Sequence, residues 1–186
     1  MRRMSLMGLG LMLAVLAGCS HMPNRASAQI TPKPLQHLYN YQLVSSADQK
    51  VITLSELTSE LTSSDVIFIG ELHSHSASHY LQMQLLTMLH QQQPNLILFM
   101  EQFERDKQSV VDEYLNNTIG EQTLIAQGKA WPNYASDYRP LVEFAKAHDI
   151  PVIAANAPKV LVRCIAQKGP EIAGKLPVQQ RAVFGG

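Results

Sequence analysis

Three short apolar runs constrain this chain more than any other feature: Val66-Ile67-Phe68-Ile69, Leu96-Ile97-Leu98-Phe99-Met100 and Pro151-Val152-Ile153-Ala154-Ala155. Each has the length of a strand, and none alternates apolar with polar residues, which is the pattern of a strand buried on both faces. Helical stretches separate them. Residues 76–93 are rich in Leu, Met and Gln and close at Pro94. Residues 106–116 and 118–127 read as two more helices, and 128–136 as a loop. Asp137 is expected to cap the next helix, with Pro140 in its first turn, and that helix runs to about His148. A last helix spans about 158–168 and stops at Gly169. Ahead of the first run, residues 39–45 and 50–54 flank Ser46-Ala47-Asp48-Gln49 as a hairpin, and 54–61 suit a short helix. The expected fold class is therefore α/β: a mostly parallel sheet with helices on both faces and an N-terminal β-hairpin. The ending, LPVQQRAVFGG, shows no clear final element, so a C-terminally truncated form of a longer chain is expected.

The N-terminus reads as an address. Arg2 and Arg3 precede an apolar run of eleven residues, Met7 to Ala17. At about 1.5 Å per residue such a run covers only about half of a roughly 30 Å bilayer core, which suits a signal h-region. It ends in Leu16-Ala17-Gly18-Cys19, which resembles a bacterial lipobox. The domain expectation follows: signal peptide 1–18, a Pro-containing tether 19–34, and one α/β domain 35–186. Lipid on Cys19 is expected to anchor the chain, and Ser20 in second place resembles sorting to the outer membrane, periplasmic side. Cys164 is then left without a partner and reads as a buried, inert thiol in a helix. Fifteen Lys and Arg balance fifteen Asp and Glu, so no broad basic face exists for nucleic acid. With 46% apolar and 16% charged residues, the chain is also unlike a disordered one.

Ligands of open parallel sheets bind beyond the C-terminal ends of the strands. All three runs here end in polar residues: Gly70-Glu71-Leu72-His73-Ser74-His75 with His79 one turn on, then Glu101-Gln102-Phe103-Glu104, then Asn156. His75 and His79 share a helix face and, with Glu71 or Glu101, form a zinc-like donor set. The alternative is that this stretch merely caps its helix. Glu101 suits a general base or an acceptor that orients a histidine, and equally a helix cap. Asn156 fits a site role or plain turn chemistry. Trp131, Tyr134 and Tyr138 put three aromatics in one loop, either a flat ligand surface or an anchor into the core. His37, His90 and His148 are isolated and carry no expectation of a site. No P-loop, GxGxxG or GxSxG occurs.

Together, DVIFIGELHSHSASH, LFMEQFER, WPNYASDYRPLVEFAKAHDIPVIAANAP and VRCIAQKG resemble the ChaN-like haem-binding uptake lipoproteins, relatives of the Tiki/TraB and erythromycin-esterase-like superfamily. The resemblance spans about residues 39–174. It implies an α/β fold, haem as cofactor and a role in haem or iron uptake. It also implies a homodimer with haem at its interface, a tyrosine on the iron, and an outer-membrane haem receptor as partner. Tyr138 and then Tyr134 are the candidate iron ligands, with His73, His75, His79, Glu101 and Asn156 near the cofactor. The alternative implied by the superfamily is a metal-dependent hydrolase. Glu71, His73 and Glu101 would be its catalytic residues, or Glu71, His75 and His79 its metal set.

Overall fold

The structure is a computed structural model that describes residues 33–178. The expected signal peptide, Cys19 and the tether up to residue 32 lie outside the described residues. The hairpin forms as β1 (Leu43–Val44) and β2 (Val51–Ile52), antiparallel, with Leu43 opposite Ile52. Helix α1 (Leu54–Leu61) begins at a capping box: Thr53 Oγ1 accepts from the Glu56 amide, and Glu56 Oε2 accepts from the Thr53 amide at 2.7 Å. Helix α2 (Ser76–Gln92) buries Ala77, His79, Leu85, Leu86 and Leu89.

The second and third apolar runs form β3 (Leu98–Glu104) and β4 (Val152–Asn156), paired in parallel with Leu98 beside Val152 and Met100 beside Ala154. Between them lie α3 (Gln108–Leu115), α4 (Glu121–Gln127), one π-helical turn at Tyr134–Tyr138 and α5 (Arg139–Ala147). Helix α6 (Lys159–Lys168) follows β4 and ends where Gly169 takes φ of 84°, a backbone state suited to glycine. Phe103, Val111, Leu124, Tyr134, Tyr138, Val142 and Val152 form the centre of the core. The α/β class, the hairpin and the parallel pairing are as the sequence predicts. Among the described residues, no helix is long and apolar enough to cross a membrane.

Four expectations need correction. Val66–Ile69 takes no regular secondary structure and joins no sheet among the described residues, and Phe68 is 93% exposed. An apolar run marks a segment fit for burial without supplying a ladder partner, and here a cavity of about 940 Å³ separates it from β3. β3 is not buried on both faces: Phe99 and Glu101 are exposed between buried Met100 and Gln102, and the alternation breaks at buried Phe103, where the register with β4 is irregular. Asp137 does not cap α5; it sits inside the π-helical turn, and its carboxylate accepts from Asn133 Nδ2 at 2.7 Å. Cys164 is half-buried rather than buried.

The two edges of the β3–β4 ladder differ. On β4, the side chain of Gln108 stands in for a strand: its Nε2 donates to the Val152 carbonyl (2.9 Å) and its Oε1 accepts from the Ala154 amide (2.7 Å). The edge of β3 faces the cavity and has no strand partner among the described residues.

Candidate functional site

The chain leaves Gly70 and turns Glu71 inward, so that its carboxylate is only 7% exposed. Elements distant in sequence converge on it. Tyr138, from the π-helical turn, donates its hydroxyl to Oε1 at 2.6 Å. Gln82, from the inner face of α2, donates Nε2 to Oε2 at 2.5 Å. Gln102, from β3, donates to Oε1 at 3.4 Å. His73 Nδ1 lies 3.1 Å from the same oxygen; an ionised carboxylate only accepts, so this nitrogen carries the proton.

His79 completes the cluster from below. Its Nε2 donates to the His73 carbonyl at 3.1 Å and stands 3.6 Å from Asp137 Oδ2. Its Nδ1 is 3.2 Å from Glu71 Oε2, but off the axis of a hydrogen bond, so it is a buried nitrogen without one. The rings of His79 and Tyr138 meet edge to face at 4.9 Å, and Trp131 lies edge-on to both Tyr138 and His73. Asn133 ties the aromatic loop to the rim by donating to the His73 carbonyl at 2.9 Å.

Burial works against charge on Glu71. Hydrogen bonds from Tyr138, Gln82 and His73, together with the charge of His79, outweigh it and hold the carboxyl below its usual range. The same contact acts in reverse on the phenol. Burial first, and then the Glu71 carboxylate, push Tyr138 up to about 12. Tyr134 is also pushed up, chiefly by burial, and its hydroxyl has no hydrogen bond among the described residues.

The candidate residues separate in the structure. Glu71, His73, His79 and Tyr138 come together. His75 is exposed and serves as the N-cap of α2, its Nδ1 accepting from the Ser78 amide. Glu101 is exposed, makes no hydrogen bond to the cluster, and lines the cavity, whose wall also includes Glu71, His73 and Gln102. Asn156 lies in register with Glu104 and makes no hydrogen bond to the cluster. Tyr134 packs on Phe103 with its ring in the core. Among the described residues, no group of three His, Cys, Asp or Glu is placed to hold a metal ion.

Sequence reasoning missed Gln82, Gln102, Asn133 and Asp137. Strand parity was the available signal for Gln102: with Met100 buried, residue 102 and not 101 faces the same side. Gln82 stands three residues after His79, on the same helix face. Nothing local marks Asn133.

The arrangement is an α/β domain with a polar cluster around Glu71 beside β3 and an aromatic loop packed on it. A family model described as "Haem-binding uptake, Tiki superfamily, ChaN" matches residues 57–185, and the chain belongs to that family. A solved structure titled "Cofacial heme binding to ChaN of Campylobacter jejuni" is 22% identical, with a TM-score of 0.60 over 73% of this chain and 56% of that one. That likeness establishes the shared fold; the chain spans about half the length of the protein it matches. A comparison with curated proteins finds no significant match.

Proposed function

We propose that this protein binds haem at the periplasmic side of the outer membrane, held there by lipid on Cys19, and takes part in haem or iron uptake. The observation that carries the reading is membership of a haem-binding uptake family over residues 57–185. The lipobox at Leu16 to Cys19 supports the anchor. A second copy of the chain and an outer-membrane haem receptor are the partners that go with it.

Haem asks a protein for a flat apolar surface and an exposed donor for iron. The rim supplies neither through its tyrosines, since Tyr138 and Tyr134 are 0% and 1% exposed. His73, at 56% side-chain exposure, is the rim group that can reach a cofactor. The exposed phenols of Tyr39 and Tyr80, at 54% and 45%, are further donors that a haem iron could reach.

A hydrolase reading rests on one observation, the buried contact between Glu71 and His79 Nδ1. One experiment separates the two: titrate the purified full-length protein with hemin, and measure metal in the same sample. Saturable hemin binding without stoichiometric metal is expected. Stoichiometric zinc or manganese that is lost in His79→Ala, with no hemin binding, would favour the hydrolase.

A further inference from the structure

We infer that the turn at residues 33–39 is a membrane-contact surface, where Leu35, Leu38 and Tyr39 dip into the headgroup region of a phospholipid bilayer and seat the domain on it. This rests on the lipid-anchored reading and adds a contact made by the folded domain itself.

The turn projects from the domain. Every residue from 33 to 39 is exposed, with Leu35, Leu38 and Tyr39 at 70%, 80% and 54%. Scattered apolar side chains are ordinary on a protein surface, but three on one short turn form a cluster. The turn also holds its shape. Asn40 Oδ1 accepts from the Gln36 and His37 amides at 2.7 and 3.1 Å, and His37 Nδ1 accepts from the Tyr39 amide at 3.2 Å. The Asn40 amide donates to the His37 carbonyl at 3.1 Å. These four amides are bonded within the turn, so a medium poor in water strands none of them. Behind it, Tyr41 donates to Gln84 Oε1 at 2.7 Å, and the Tyr39 ring meets that of Tyr80 edge to face at 5.7 Å. Both contacts pin the turn to α2.

Charge points the same way. The first carboxylate of the chain is Asp48, and α2 has none. Lys33 is the fixed charge of the turn. A surface free of carboxylates meets an anionic bilayer without repulsion, and a lysine beside it is attracted. Tyrosine suits the same depth, with its ring among apolar groups and its hydroxyl in water. Position completes the argument. Fourteen residues separate Cys19 from Lys33 and reach at most about 50 Å. Lipid on Cys19 therefore keeps this turn at a high effective concentration beside the bilayer, where a few side chains suffice. A second copy of the chain is the poorer occupant, since three apolar tips fall short of the roughly 800 Å² a side that a stable protein interface buries.

The test uses the full-length chain expressed in a bacterium with an outer membrane and purified from that cell's membranes. It is reconstituted into vesicles of phosphatidylethanolamine and phosphatidylglycerol, with or without bromine on the upper acyl chains. Wild type carries one tryptophan, Trp131, whose emission should be equal in both vesicles. Leu38→Trp should lose about half of its added emission to bromolipid, because interfacial side chains lie about 5–10 Å into the headgroup–acyl boundary. Val160→Trp, on the exposed side of α6, should lose none. Both replaced side chains are largely exposed, so circular dichroism should show both variants folded. Membrane-bound Leu38→Trp that bromolipid leaves unquenched overturns the docking and leaves the anchor standing; a blue-shifted emission that reverts on dilution within the membrane would then assign the turn to a second copy. Equal quenching of Val160→Trp also overturns it, since the domain then meets the bilayer with no preferred face. Wild type recovered only in the soluble fraction overturns both the docking and the anchor.

Discussion

The cluster around Glu71 and the exposed group of His37, Tyr39 and Tyr80 near the N-terminus of the described residues set the same kinds of side chain in opposite surroundings. At the rim, a tyrosine, two histidines and two glutamines close on one carboxylate that is 7% exposed. At the N-terminal turn, Tyr39 and Tyr80 are 54% and 45% exposed, and the His37 ring beside them accepts from the Tyr39 amide at 3.2 Å. A buried, densely bonded cluster chiefly holds loops together, and here only His79 Nδ1 is left without a hydrogen bond, while exposed phenols are bonded by water. The contrast assigns a structural task to the Glu71 cluster.

The most forceful way to break this comparison is Glu71→Ala. It leaves the Tyr138 hydroxyl, Gln82 and both histidines without their shared acceptor. The expected loss is about 3 kcal/mol, read as a lower urea midpoint. The charge has a pH signature as well. The folded pKa of Glu71 lies below its unfolded value of about 4.3, so its contribution is complete above that value and is lost as pH falls through the folded one. Glu71→Gln should remove this acid limb. Unchanged stability and unchanged acid sensitivity in both variants would mean that the cluster is not a structural clasp.

A smaller effect is expected at Gln108→Ala, which strips two partners from the β4 backbone: about 1–2 kcal/mol by the same measurement. The smallest belongs to Phe68→Ser. With Phe68 93% exposed, folding stability should move by less than about 0.5 kcal/mol, and a loss above 1 kcal/mol would show that the 66–69 segment is packed in solution.

What the sequence disclosed follows from the range of each signal. Helix ends were readable because their causes are local: Thr53 with Glu56 starts α1, and Gly169 ends α6. The contact of Glu71 with His73 was readable too, because the two are only two positions apart, although the run before them joins no sheet among the described residues. The meeting of Tyr138 with Glu71 was not, because it spans 67 positions and depends on a π-helical turn that leaves no local mark. His75 was misleading for a related reason. Its spacing to His79 suits a shared helix face, but His75 precedes the first turn and spends its ring on the Ser78 amide. The run Val66–Ile69 had the composition of a sheet core, yet composition says nothing of which neighbour completes the ladder.

Gln108 has one last consequence. By plugging the donor and acceptor of β4, it makes that border a dead end for further pairing. The ladder can therefore widen in one direction only, outward from β3, and any newcomer strand must enter beside the residues that seat Glu71. The geometry of the carboxylate clasp and the growth of the sheet share a single frontier.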